Sequence, residues 1–510
     1  MTSVERVGQN SYPVSPGSNE FIERPKYAVL SYTWGRYERK PSNASHPRLK
    51  IDGLDWEIPA IDSSHFTVEN FQDVLDSIRT ESRRLSTLNK LGGSTLPAIE
   101  CDFVWLDVAC IHQTDTVLKA KEIGQQGKIF RQAAYGFIWA SETSSKALTD
   151  IWTDLEALID IGRTFDPSHM PILDRALCSA RQLVFDPWFS SLWALQESQL
   201  RKAARVISAD GRVIVANPLF VIVTFEGVYQ TGDTAALSRI RALVEIVRQV
   251  GYSDQDHNPN TAFSAARHRK TSLSQDRIYA IMSLYGLKLR FNKLAYDPYA
   301  YPLEDLEYAF ASALCESRPA LSQYFTHTVE PKSGITWQLT HASRKVAGFT
   351  TGVGLVNNEL RITATQSGAA KFTGHIFGLA SAVALNCRLR FDIDEYLLAK
   401  HDNIKAAVDT EREATPWDQP DEGLVGSHSE LAKTMLAEFS EQDLFLLRLR
   451  PPYGWERSLT DCPCVILRRV HASRPYFVRL GICYFWASSH GRGLEDGYHI
   501  DWIQVKGKLF

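Results

Sequence analysis

The sequence has no long apolar run, no regular cysteine spacing and no excess of charge of either sign. Each absence removes a class of function. The longest apolar run, Val213 to Phe225, is broken by Asn217-Pro218 and falls short of the roughly 20 residues that a membrane-spanning helix needs. The eight cysteines are scattered, only Cys462 and Cys464 lie close together, and there is no CxxC pair. Neither a zinc site nor a disulfide framework is indicated, and the thiols read as reduced and mostly buried. The 56 basic and 59 acidic residues leave a net charge of −3, without the broad positive field that draws nucleic acid or anionic membranes. Met1 to Glu20 is polar and rich in Ser, Gly and Pro, and lacks the basic-then-apolar layout of a signal peptide. There is no internal repeat and no low-complexity tract. The expectation is a soluble, cytoplasmic protein with no membrane span, no nucleic-acid partner, no metal and no resident cofactor.

What is present suits a globular chain. Of 510 residues, 44% are hydrophobic and 23% charged, enough to build sizeable cores, and the length prior is roughly three domains. After a flexible lead-in over 1–25, Tyr27 to Tyr32 forms a short apolar strand that opens at Trp34-Gly35. Phe71, Val74, Leu75, Ile78, Leu85 and Leu88 recur at helical spacing, so 67–90 is an amphipathic helix, ended by Gly92-Gly93-Ser94. Phe103 to Asp107 and Phe137 to Ala140 are further strands, with a helix through Ile123 to Ala134 between them. Helices over about 148–161 and 173–185 follow. Strands alternating with helices define an α/β domain with a parallel sheet over 26–208. Ligands of such sheets bind at the carboxyl ends of the strands, which places Ser31, Trp34 and Asp107 at the binding edge. Residues 209–330 comprise the second arm of a hairpin turning on Asp210-Gly211 and a helical region including 234–250, 270–284 and 304–317. From 331 to 510 short alternating runs predict a β-rich C-terminal region, interrupted by an acidic loop over 402–430.

The most informative stretch is Asp186 to Ser198. Asp186 followed by Pro187 is a helix start, the carboxylate capping free N–H groups and the proline occupying the first turn. In one helix from there, Phe189, Trp193 and Glu197 share a face, which places a carboxylate beside two aromatic rings. Such a carboxylate can be perturbed and aimed at a ligand. It can equally form an exposed ion pair with Arg201. Asp107, at the end of a central strand, either contacts ligand or caps the next turn. Gln113 and Asp115 can line the same edge, with Asp115 alternatively capping a helix near Val117. Ser31 either bonds a ligand or finishes its strand, and Trp34 is the tryptophan best placed outside the core. Cys110 with His112 has no third group to complete a thiol site. Arg267-His268-Arg269-Lys270 reads as a solvated helix end.

Three blocks in order resemble the fungal heterokaryon incompatibility (HET) domain. They are Tyr27 to Gly35; Trp105-Leu106-Asp107-Val108-Ala109-Cys110-Ile111-His112-Gln113-Thr114-Asp115, continuing through Gly127 to Ala134; and Trp188-Phe189-Ser190-Ser191-Leu192-Trp193-Ala194-Leu195-Gln196-Glu197. Ser274 to Ala280 also looks like a segment common in that family. The resemblance covers about 25–285. Ser191 stands where the family usually has Arg, His112 where Asn is typical and Gln126 where Met is typical. HET domains resemble TIR domains in turn, and Ser190 to Glu197 is similar to the Ser-Ser-x-Trp-Cys-Leu-x-Glu stretch of plant TIR domains.

The resemblance implies a TIR/flavodoxin-like parallel sheet with flanking helices, and a role in non-self recognition and regulated cell death. It further implies NAD⁺ as substrate, cleaved at the nicotinamide–ribose bond with Glu197 as catalytic residue. Ser31, Trp34, Asp107, Gln113 and Trp193 would bind the substrate. The alternative is a non-catalytic signalling module that acts by self-association or through a partner protein.

Overall fold

In a computed structural model, the chain is described over residues 26–33, 49–51, 56–58, 65–91, 103–160, 166–201, 203–214, 234–251, 259–287, 300–332, 335–346, 359–365, 368–385, 388–414, 428–440, 442–449, 462–486 and 503–510, together with 54, 101 and 289. The expected lead-in, the Trp34-Gly35 loop and the Gly92-Gly93-Ser94 break lie outside these residues. The chain divides into two compact units, one of residues 1–253 and 268–276, the other of 254–267 and 277–510.

The first unit contains β1 (Tyr27–Ser31), α1 (Val68–Leu91), β2 (Phe103–Trp105), α2 (Asp107–Cys110), α3 (Thr116–Gln132) and β3 (Tyr135–Trp139). It continues with α4 (Ser145–Asp160), α5 (Met170–Val184), α6 (Pro187–Ser190), α7 (Leu192–Leu200), β4 (Arg205–Ile207), β5 (Val213–Ile214) and α8 (Thr234–Val250). The strands form one sheet in the order β2-β1-β3-β4-β5. The first four are mutually parallel, with Val29 opposite Trp105 and Gly136, and Ile138 opposite Val206. The β4–β5 hairpin is antiparallel and turns where Gly211 takes a φ of +77°, a conformation glycine adopts without steric cost.

Alternation along the strands sends side chains to two cores. Ala28, Leu30, Phe137 and Trp139 pack with Phe71, Val74 and Ile78 of α1. Ile138 and Val206 pack with α4, α5 and α8, while Val29 meets Phe130 and Ala133 at the end of α3. Helices therefore cover both faces of the sheet, as an α/β domain requires.

Two expectations change here. The segment from Pro187 is not one helix, because Ser191 adopts extended geometry (φ −83°, ψ 132°) between α6 and α7 and pairs with Lys270 as an isolated parallel bridge. Phe189 thus belongs to a different helix from Trp193 and Glu197. Asp107 does not end a central strand. Within the described sheet β2 is an edge strand, and Asp107 is the first residue of α2.

The second unit begins with α9 (Pro259–Ala266) and most of α10 (Asp276–Met282), then α11 (Leu303–Ser317), α12 (Pro319–Ser322) and the β6 (Phe325–His327)–β7 (Ser343–Lys345) pair. Its main sheet uses β8 (Arg361–Ala364), β9 (Ala370–Gly378), β10 (Arg388–Ile393), β11 (Leu444–Arg448), β12 (Cys462–Arg469), β13 (Tyr476–Trp486) and β14 (Ile503–Leu509). Between these strands lie α13 (Leu379–Ala384), α14 (Glu395–Leu398), α15 (Asp402–Ala414) and α16 (His428–Phe439). The order β10-β13-β12-β11-β9-β14 closes into a barrel through pairing of β14 with β13. At Gly481 (φ +149°) a Cβ would stand 2.5 Å from the Asp392 carbonyl oxygen, so β13 can approach β10 there only as glycine. The predicted acidic loop over 402–430 is corrected to helix over 402–414 and from 428. Ile404 and Val408 lie one turn apart and join Leu431 and Met435 in the core beneath the sheet. That buried stripe outweighs the acidic composition.

Candidate functional site

Strand pleat decides which side chains meet at the end of β1. Ser31 lies on the same face as Val29, and that face is covered by α3 and α7. Gln126 of α3 and Glu197 of α7 converge on it. The Ser31 hydroxyl donates to Glu197 Oε2, and Gln126 Nε2 donates to Oε1 at 2.9 Å. Trp188 Nε1 donates to Ser31 Oγ at 2.6 Å, so an indole N–H, a hydroxyl and a carboxyl form one buried chain.

Glu197 retains only 8% of its surface. Burial pushes its carboxyl up to about 8; the Ser31 hydrogen bond and the positive charge of Arg269 pull it down, and Asp107 adds to the rise. It is therefore mostly protonated at neutral pH. The exposed ion pair with Arg201 is absent: Arg201 Nε instead donates to the Phe130 carbonyl at 2.6 Å.

Tyr32, the next residue, points to the opposite face and packs on Phe71. Its hydroxyl donates to Asp107 Oδ1 at 2.5 Å, and the same oxygen accepts from the Val108 N–H at 2.7 Å. Burial raises the Asp107 carboxyl, opposed by the Tyr32 and Val108 hydrogen bonds. Gln113 Nε2 donates to the backbone carbonyls of Ile111 at 2.8 Å and Asp107 at 3.3 Å, so its amide braces the turn after α2. Asp115 accepts from the Leu118 N–H at 2.9 Å as the cap expected for α3. Ser31, Asp107, Glu197 and Gln113 thus gather around the end of β1, while Trp34 lies outside the described residues.

Trp193 is directed elsewhere. Its Nε1 donates to Asp276 Oδ2 at 3.3 Å, and Thr271 Oγ1 donates to the same oxygen at 2.7 Å. Asp276 belongs to a strap, residues 268–276, that crosses the α6–α7 corner. Lys270 N–H donates to the Ser190 carbonyl at 2.7 Å, and Leu192 N–H to the Lys270 carbonyl at 3.1 Å.

Within the 267–270 cluster His268 and Lys270 are exposed, as a solvated reading expects, but Arg269 is only 2% exposed. Its guanidinium donates to the carbonyls of Ser191 at 2.8 Å, Trp188 at 3.4 Å and Val250, and lies 5.9 Å from the Trp188 ring centroid. A cation thus stands against the backbone of Ser191.

Upstream, Asp186 caps α6 as its sequence predicts, accepting from Trp188 N–H at 3.1 Å, Glu142 N–H at 3.1 Å and the Thr143 hydroxyl at 3.0 Å. Burial raises its carboxyl to about 6 despite those bonds. Trp188 and Arg269 carried no site expectation. Trp188 enters the sequence reading only as part of the third motif block, and Gln126 only as a departure from methionine. Among the described residues, no cluster of His, Cys, Asp and Glu is arranged to hold a metal ion, and no helix is long and apolar enough to cross a membrane.

An α/β domain with a buried carboxyl at the carboxyl edge of its parallel sheet defines the class. Residues 27–197, from the first residue of β1 to Glu197, match the family described as heterokaryon incompatibility protein (HET). The chain therefore carries a HET domain over that segment. No curated protein and no solved structure matches the chain.

Proposed function

We propose that the HET domain cleaves NAD⁺ at the nicotinamide–ribose bond, in a fungal-type cytoplasmic protein of non-self recognition and regulated cell death. The supporting observation is Glu197, a carboxyl out of water yet bonded by Ser31 and Gln126, at the end of β1. The strand order β2-β1-β3-β4 is that of flavodoxin-like sheets, whose ligands bind where the order reverses between β1 and β3. That supports the TIR/flavodoxin-like reading, with antiparallel β5 as the departure.

The chemistry follows from charge. The nicotinamide of NAD⁺ is a cation, and its approach favours the ionised form of a buried acid. Glu197 gives up its proton to solvent as the substrate seats. As the C–N bond breaks, its electron pair passes to the departing nicotinamide nitrogen, which becomes neutral, and positive charge moves to the ribose. A carboxylate fixed beside that ribose stabilises the developing cation. Water then adds to the ribose carbon and releases a proton, giving ADP-ribose. Ser31 and Gln126 orient the carboxylate, and the Asp107 charge adds to the negative potential.

A second reading rests on the same hydrogen bonds: both Glu197 oxygens are occupied, as they would be in a structural carboxyl. The domain would then signal by self-association or through a partner protein. Nicotinamide release by concentrated full-length protein separates the two. We expect turnover in the wild type and loss of at least ~100-fold in Glu197→Gln, in line with removal of one electrostatic stabiliser. No release from assembled wild-type protein, with Glu197→Gln still provoking cell death, would sink the enzymatic reading.

A further inference from the structure

The family match ends at Glu197, but the corner that carries Glu197 is completed by residues 268–276. Ser191 breaks the helix between Trp188 and Trp193, and a break with extended geometry leaves backbone groups without helical partners. The strap supplies them. Lys270 bonds the backbone on both sides of Ser191, Arg269 bonds the carbonyls of Trp188 and Ser191, and Thr271 with Asp276 fixes the Trp193 indole. A guanidinium suits this place because its planar fork reaches several carbonyls at once, which an ammonium on a flexible stem does not.

We propose that Arg269 is the positioning residue of the Glu197 site, holding the α6–α7 corner in place and putting a positive charge at the start of α7, the helix that carries Glu197. The geometry carries the positioning. The guanidinium lies over Trp188, whose indole N–H fixes Ser31, and Ser31 in turn fixes Glu197. Its charge favours the ionised carboxylate, opposing the effect of burial. Ser31 and Gln126 face Glu197 by hydrogen bond, and Asp107 and Arg269 act on it through charge alone. Calling Arg269 a positioning residue for catalysis rests on the NAD⁺ reading, while its hold on Glu197 ionisation does not.

The test compares Arg269→Gln, which keeps a donor and loses the charge, with Arg269→Lys, which keeps the charge and loses the fork. Glu197 titration is read by carbon-13 NMR of glutamate-labelled full-length protein, its signal assigned by difference against Glu197→Gln. We expect Arg269→Gln to raise the Glu197 midpoint by roughly one pH unit, the scale of a single nearby charge. Arg269→Lys should leave the midpoint within a few tenths of wild type, and nicotinamide release should fall more in Gln than in Lys. A role confined to folding would lower the urea midpoint of both variants and leave the Glu197 titration where it is, which overturns the proposal. Should Arg269→Gln not fold, Arg269→Lys decides alone, since an upward shift of a full unit there would show that the charge is not the cause. If wild-type protein releases no nicotinamide while Glu197 follows the charge at 269, the NAD⁺ reading fails and this inference stands.

Discussion

Glu197 and Asp107 are held by consecutive residues at the end of one strand, the first by Ser31 and the second by Tyr32. The pleat of β1 turns the two hydroxyls to opposite faces of the sheet. A buried and a half-buried carboxyl group therefore reach the same strand end without sharing a hydrogen-bond partner, close enough for Asp107 to raise Glu197.

Stability should fall as pH rises through this pair of facts. Glu197 is raised from 4.5 to about 8 in the folded protein, and Asp186 from 3.8 to about 6. Between the unfolded and folded values the native state holds the proton that the unfolded chain has released. Stability is thus fully present below about pH 4 and is lost as pH rises toward 8. Thermal unfolding followed from pH 5 to 9 should show a falling midpoint. Glu197→Gln should flatten it and unfold above wild type at pH 9, by roughly 4 kcal/mol at most. A pH-independent difference between the two proteins would refute the assignment.

Removing the Ser31 hydroxyl acts in two ways. Ser31→Ala leaves the Trp188 indole N–H without its acceptor, a loss of about 1–3 kcal/mol for a buried donor. It also removes a hydrogen bond that lowers Glu197, so the carboxyl should titrate at higher pH than in wild type. Urea unfolding reads the first effect and carbon-13 NMR the second.

Asp186→Ala tests the start of the corner. Its carboxylate serves Trp188 N–H, Glu142 N–H and the Thr143 hydroxyl together. The cap alone is worth about 1 kcal/mol, and stranding two further donors should bring the loss to roughly 2–4 kcal/mol in urea unfolding. A loss below half a kilocalorie would mean that water or a neighbour replaces the carboxylate.

In the second unit, Arg479 and Asp394 form an ion pair in which neither side chain is exposed, with Nη1 at 3.1 and 3.2 Å from the two carboxylate oxygens. The Arg479 guanidinium also stands 4.1 Å from the Phe325 ring centroid, and Asp394 accepts from the His327 N–H at 2.9 Å. Arg479→Met should cost about 3–5 kcal/mol by leaving a charge unpaired, and adding Asp394→Asn should recover much of it. Additive losses in the double variant would show that the pair is not the source of the cost.

Much of the fold was legible because it rests on periodicity. The helices over 68–91 and 234–250 and the strand at 27–31 are written in the spacing of their apolar residues. Misreadings fall where distant contacts override local pattern. Nothing near Ser191 announces the helix break, because its partner is Lys270. Arg269 sits among basic neighbours and reads as solvated, yet its partners are carbonyls brought to it by the fold. Strand β14 is weakly written in its own residues, since Lys506 and Lys508 interrupt a short run, and pairing with β9 along its length secures it. Helix 402–414 was hidden by an acidic stretch whose two informative residues are Ile404 and Val408. Within the candidate site, Glu197 and Ser31 stand out in the sequence through their motifs. Gln126, Trp188 and Arg269 became visible only in three dimensions.

The path of the chain around the strap decides how the protein can be divided. After residue 253 the backbone enters the second unit, returns to the first for 268–276, and leaves again at 277. No single cut separates the two units. A fragment ending anywhere from 197 to 268 keeps the whole HET match while losing Arg269, and any truncation between those points would yield a recognisable domain with an unfinished site. The smallest portion able to report on Glu197 must extend through Asp276, past the first excursion into the second unit.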